Sequence, residues 1–265
     1  TIENISTKKI LVKKILLPLL FGISWAAVAQ QADILIRNGR ILDGTGNNWF
    51  YGDVAIKNGN IVSIGKLSHF TATKIIDAQG LYVAPGFIDV HTHIEGEEAK
   101  APDAKSFILD GVTSVVTGNC GGSASDMEKY FAFIDSLKLS INVAALIGHN
   151  TVRRDVMKTT NRQPTPAEQQ KMEALVEKAM QAGAVGLSTG LIYIPGAYCQ
   201  TPEVVGLAKA AAKYNGVYAT HMRNEGDEVH KAIEEALTIG REANIPVEIS
   251  HFKVSGQNNW GRSNE

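Results

Sequence analysis

From Pro85 onward, six apolar runs of strand length alternate with amphipathic stretches, and this rhythm limits the fold more than any other feature. The runs are GFIDVHTH, VTSVVTG, INVAALIG, AVGLSTG, VYATH and VEISH. Strands that are apolar nearly throughout are buried on both faces, which requires parallel strands covered by helices. Thr165-Pro166-Ala167-Glu168 reads as a capping box with Pro at the first helical position, predicting a helix to about Ala182. Thr201-Pro202-Glu203 reads as opening the next helix in the same way, and a third runs from about Glu225 to Ala243. No GxGxxG fingerprint follows any of these strands. Six β/α steps leave two architectures open: a doubly wound open sheet, or a (β/α)8 barrel cut short after its sixth strand.

The segment before Pro85 has a different texture. ADILIRNGRILDGTG, DVAIKNGNIVSIGK and KIIDAQGLYVAPG alternate like half-buried strands, and Asn58-Gly59 between two such runs is the signature of a tight hairpin. Residues 30–84 are therefore read as a small β-domain, with His69 isolated in a polar loop. Ahead of it, Lys8, Lys9, Lys13 and Lys14 precede an apolar stretch from Ile15 to Val28 that ends in Ala27-Val28-Ala29. That pattern reads as a secretory signal peptide over residues 1–29. The expectation is a periplasmic or secreted protein, with no stable membrane insertion after cleavage, because the apolar stretch is too short to span a bilayer. The opening Thr suggests an amino terminus that is not complete. A net charge of -1 gives no electrostatic case for binding nucleic acid.

Chemistry concentrates at the carboxyl ends of the strands, where sheets of this class place their sites. His91 and His93 close the first run, two apart, so that both imidazoles project to one face. His221 closes the fifth run and His251 the sixth, and Cys120 follows the second. Of seven histidines, four gather in this way at one rim, with a thiol among them. Imidazole and thiolate are the donors that Zn²⁺ favours in open catalytic sites. A thiolate there can also bridge two cations, a task that no lysine in the fourth strand, AVGLSTG, is present to perform. The two cysteines offer the plainer alternative of a Cys120–Cys199 disulfide. His149 in IGHNT reads as a structural or rim residue. Arg223 stands where it can meet an anion or pair with Glu225. Gly118, Gly121 and Gly122 permit close turns around the thiol and can present N–H groups to a substrate.

Taken together, PGFIDVHTH, TGNCGG, GLSTGLIY, THMRNE and SHFK resemble the D-aminoacylase (N-acyl-D-amino-acid deacylase) branch of the amidohydrolase superfamily, in that family's order and from about Ala32 onward. The resemblance implies a TIM barrel beside a small β-sandwich built from both chain ends. It thereby favours a barrel over 85–265 that is incomplete at its C-terminal side, with 30–84 as the N-terminal part of the sandwich. It also implies zinc as the cofactor, one ion tightly bound and a second, weaker one possible. Cys120, His221 and His251 would hold the tight ion, His91 and His93 the weaker. Tyr193 and Lys253 match positions that hold the substrate's carboxylate. The family's general acid/base is an aspartate after the eighth strand, expected beyond Glu265; Asp89, deeper in the barrel, suits a supporting role. The activity so implied is hydrolysis of N-acyl-D-amino acids, small-molecule substrates, to a carboxylate and a free D-amino acid. A hydrolase of cyclic amides or dipeptides, or a non-catalytic metal-binding barrel, are the alternatives.

Overall fold

The structure, a computed structural model, describes residues 30–265; the leader read at 1–29 lies outside the described residues. The chain divides into two compact units between Pro85 and Gly86.

The first unit is one five-stranded sheet. β1 (Gln30–Ile41) pairs antiparallel with β2 (Phe50–Lys57) and parallel with β4 (Phe70–Asp77), while β3 (Asn60–Gly65) flanks β2 and β5 (Tyr82–Val83) pairs with β1. The hairpin read at Asn58-Gly59 joins β2 to β3, with Lys57 opposite Asn60. Both turn residues have positive φ, 51° and 74°, the conformation that a two-residue hairpin turn needs and that Asn and Gly tolerate best. Ala32, Leu35, Ala55, Leu67 and Phe70 form its buried core. Among the described residues this sheet is a single layer, so the second layer of the expected sandwich is not seen here.

The second unit carries the six apolar runs, and all six form parallel strands. They are β6 (Phe87–Asp89), β7 (Val112–Thr117), β8 (Asn142–Ala145) continuing as β9 (Ile147–Gly148), β10 (Gly186–Gly190), β11 (Val217–His221) and β12 (Val247–Ile249). Six helices lie between or beside them: α1 (Lys105–Leu109), α2 (Met127–Leu137), α3 (His149–Met157), α4 (Pro166–Gln181), α5 (Thr201–Ala212) and α6 (Val229–Ala243). The third run is interrupted at Leu146, so that β8 pairs with β7 and β9 with β10. Each strand lies beside its predecessor, with no reversal of order. A doubly wound sheet reverses order at its switch point, so the sequential order excludes that alternative for these strands.

The core explains the continuous apolar runs. Every residue of β10 is buried, and Ile147, Leu187 and Tyr218 pack beneath Met172 and Val176 of α4, Leu207 of α5 and Ile239 of α6. The capping box that starts α4 is present in full: Thr165 Oγ1 accepts the Glu168 N–H, and Glu168 Oε2 accepts the Thr165 N–H. The helix read at Thr201 does begin there, with Pro202 in its first turn, but without the matching side-chain cap. Gln200 is the N-cap residue of α5 and makes no side-chain cap. Glu203 instead turns inward to His149, and Thr201 Oγ1 donates to Glu235. The helix expected from Glu225 begins at Val229, because Asn224 Oδ1 accepts the N–H groups of Gly226 and Glu228 and holds a turn there.

Candidate metal centre

The strand ends bring four donor side chains together. β6 stops at Asp89, earlier than the run suggests, and Asp89 Oδ1 accepts the His91 N–H. Thr92 turns inward and donates to the Val116 carbonyl, leaving the His91 and His93 rings 5.3 Å apart, His91 half-buried and His93 exposed. Cys120 follows β7 on a backbone with φ 53°, His221 ends β11, and His251 stands two residues past β12 with φ 37°. Left-handed backbone at two of these positions fits the rule that local strain gathers at functional sites.

The thiol is the hub. Cys120 Sγ lies 3.5 Å from His91 Nε2, 3.7 Å from His221 Nδ1 and 3.7 Å from His251 Nε2. A tetrahedral zinc with Zn–S near 2.3 Å and Zn–N near 2.05 Å would separate sulfur from nitrogen by about 3.6 Å. The three sulfur–nitrogen spacings therefore suit zinc, and the donor atoms of His91, Cys120 and His251 all lie within 4.8 Å of one another. His93 reaches the cluster only through His91. Both cysteines are free thiols; Cys199 is buried elsewhere, and the Cys120–Cys199 disulfide is not formed.

Electrostatics favour the neutral form of His91 and His221. Burial pushes the His91 pKa down, reinforced by His251 and His93, and burial likewise lowers that of His221. Burial raises the Cys120 thiol, and the Glu225 charge adds to it. A bound cation reverses that balance, because a coordinating thiol gives up its proton.

Glu225, within THMRNE, is the residue that sequence reasoning passed over. Its Oε1 lies 3.0 Å from His251 Nδ1 and 3.7 Å from His221 Nε2, the ring nitrogens turned away from the sulfur. That buried oxygen has no hydrogen bond of good geometry. Carboxylates so placed orient metal-binding imidazoles and fix their tautomers. The only signal in the sequence was the four-residue spacing from His221. Its other oxygen lies 2.6 Å from Lys253 Nζ, which also stands 3.1 Å from His251 Nδ1. Lys253 is thus held beside the histidines by an ion pair. Tyr193 packs on His221, with ring centroids 4.8 Å apart and its hydroxyl 3.4 Å from Nδ1, the nitrogen that also faces the Cys120 sulfur.

A second polar group underlies the Tyr193 loop. Asn150 Nδ2 donates to the carbonyls of Gly190 and Tyr193, at 3.3 Å each. Its neighbour His149 is fully buried, with Nε2 2.8 Å from Glu203 Oε1, and Arg153 holds the other Glu203 oxygen. Burial opposes charge on His149, yet hydrogen bonding to Cys199 and Glu203 lifts its pKa to about 9. Arg223 grips Glu235 with two hydrogen bonds of 2.9 Å, not Glu225, and braces the loop at the Ala197 carbonyl. The glycines around Cys120 are likewise structural. Gly118, at φ 78°, leaves room for the Leu146 carbonyl, which a Cβ would meet at 2.1 Å. The N–H groups of Gly118, Gly121 and Gly122 donate to Glu95, Ser188 and Asn119, so none is free for a substrate.

Residues 74–259 match the amidohydrolase family. The chain is 38% identical to a D-aminoacylase of Alcaligenes xylosoxydans xylosoxydans over 89% of its own length and 54% of the relative's. It is 39% identical to an N-acyl-D-aspartate deacylase of the same organism, over 89% of this chain and 52% of that one. Among solved structures, the N-acyl-D-glutamate deacylase of Bordetella bronchiseptica, complexed with zinc and a phosphonate mimic of the tetrahedral intermediate, superposes with a TM-score of 0.85 at 40% identity. That match covers 89% of this chain and 54% of the deacylase. The chain therefore spans about half the length of the relatives it matches. The motifs had pointed to these deacylases, the matched segment reaches from the end of the small sheet across the histidine and thiol cluster, and on these grounds the chain belongs to the amidohydrolase family.

Proposed function

We propose that the full-length protein is a zinc-dependent hydrolase that cleaves the amide of N-acyl-D-amino acids, releasing a carboxylic acid and a free D-amino acid. The observation that carries this reading is the convergence of three imidazoles on the Cys120 thiol, at sulfur–nitrogen separations of 3.5 Å to His91 and 3.7 Å to His221 and His251. The likeness to a D-aminoacylase and to N-acyl-D-aspartate and N-acyl-D-glutamate deacylases supports the substrate class.

In this reading Cys120, His221 and His251 hold the tight zinc, and His91 with His93 a weaker second one, Cys120 lying between the two sets. Bound zinc supplies Lewis-acid polarisation of the acyl carbonyl and activation of water at neutral pH. Glu225 holds the His221 and His251 rings with their donor nitrogens toward the sulfur. Lys253 and Tyr193 bind the amino-acid carboxylate on that side, fixing Cα so that one handedness presents its amide to the cluster. A substrate carboxylate shares the Lys253 ammonium with Glu225, which keeps Lys253 close to the reacting bond. Proton transfer to the leaving amine belongs to an aspartate outside this chain. The six strands are, in the same reading, the first part of a (β/α)8 barrel, and the leader at 1–29 directs export.

Full-length protein incubated with N-acetyl-D- and N-acetyl-L-amino acids tests the reading: release of amine from the D series alone is expected. Cys120→Ala is expected to lose tight zinc, measured by elemental analysis, together with most turnover. A variant that keeps stoichiometric zinc would overturn the assignment of Cys120.

A further inference from the structure

The aromatic and imidazole rings of the site form a series in which each touches the next. Tyr193 meets His221 at 4.8 Å between centroids, His221 meets His251 at 4.4 Å, His251 meets His91 at 4.9 Å, and His91 meets His93 at 5.3 Å. Lys253 belongs to the His251 side of this series. A substrate whose carboxylate is held by Tyr193 and Lys253, with its amide over Cys120, would have the His91 and His93 end of this series open to its acyl group.

A cleft of about 490 Å³ opens at that end. His93 stands on its wall, with Ala99, Ala124, Tyr130 and Phe133 as its apolar lining. Most of its polar groups are already engaged. The buried Glu98 carboxylate accepts the Tyr130 hydroxyl at 2.9 Å and the Gly96 N–H at 2.6 Å, and Thr151 Oγ1 donates to the Ser123 carbonyl. Walls of this kind favour uncharged alkyl over hydrated surface. The size lies in the range of small-molecule sites and far exceeds the methyl of an acetyl group.

Resting on the proposed deacylase reading, we infer that this cleft is the acyl subsite and that it takes linear, uncharged acyl chains longer than acetyl. Phe133 and Tyr130 line the chain's path, and Ala99 keeps it open. Arg154 reaches the rim as a cation and supplies the one feature that would suit an acid at the chain's end instead.

The test uses full-length protein and N-acetyl, N-hexanoyl and N-succinyl derivatives of one D-amino acid. The expected result is a kcat/KM for the hexanoyl substrate about tenfold or more above the acetyl one, expressed mainly in KM. Ala99→Trp fills the cleft, and in that variant the hexanoyl-to-acetyl ratio is expected to fall to about one, with thermal unfolding reporting that the fold is kept. An unchanged ratio in Ala99→Trp, or a preference for succinyl over hexanoyl in the wild type, overturns the inference. Titration calorimetry with hexanoate, bound by the wild type and lost in Ala99→Trp, reads the cleft without turnover. Absence of any turnover would therefore count against the proposed function alone.

Discussion

Glu225 gathers more of the site's behaviour than its single carboxylate suggests. It stands behind two imidazoles and in front of one ammonium, buried where an uncompensated charge is costly. Glu225→Gln keeps the shape and removes the charge. The expected outcome is zinc affinity weaker by about 10- to 100-fold in a competition titration with a chelator, with little change in secondary structure. At His149 the expectation concerns pH. Its pKa is 6.5 when unfolded and about 9 when folded, so the protonated form is the one the fold stabilises. That stabilisation is present in full below pH 6.5 and is lost as pH rises through about 9. Wild-type Tm is expected to decline across this window, and His149→Gln to flatten the decline while lowering Tm at neutral pH.

Among the elements, the loop from Leu191 to Cys199 depends on groups outside itself. Asn150, at the start of α3, holds the carbonyls on either side of its first turn, and Arg223 holds its far end. Asn150→Ala is expected to raise KM for N-acyl-D-amino acids about tenfold while kcat falls less, because the loop carries Tyr193 and none of the metal donors. The conservative Asn150→Asp keeps one oxygen but not the donor, and is expected not to rescue KM. These contacts also mark how far the sequence could be read. The rim histidines and Cys120 were legible because each follows an apolar run, and strand ends converge in a parallel α/β fold. The capping box at Thr165 was legible because all its partners lie within one helical turn. Glu203 and Glu225 were not, since their partners include residues tens of positions away, brought near only by the packing of α3 and α5 on β10 and of β11 beside β12. At Thr201 local chemistry pointed to a cap, and the buried His149 and Arg153 outweighed it.

At the scale of the molecule, the sequential strand order matters most. β6 leaves Phe87 and Ile88 62% and 66% exposed, with Val90 beyond them at 54%. Exposed apolar strands at a sheet edge invite association. A polypeptide limited to residues 30–265 is expected to bind a hydrophobic dye and to sediment as a mixture of species. A monodisperse protein with one cooperative unfolding transition would contradict this. Among the described residues no helix is long and apolar enough to cross a membrane.

The donors around Cys120 come from the two outermost of the six strands, His91 beyond β6 and His251 beyond β12, and from β7 and β11 between them. In the proposed reading, an ion held by Cys120, His221 and His251 would be a removable cross-link that ties together distant parts of the chain. Durability should then track the supply of free zinc, gaining about 2.7 kcal/mol when that supply stands a hundredfold above the dissociation constant. In metal-starved surroundings the same rim would loosen first, leaving an opening for proteases where the filled site offers none.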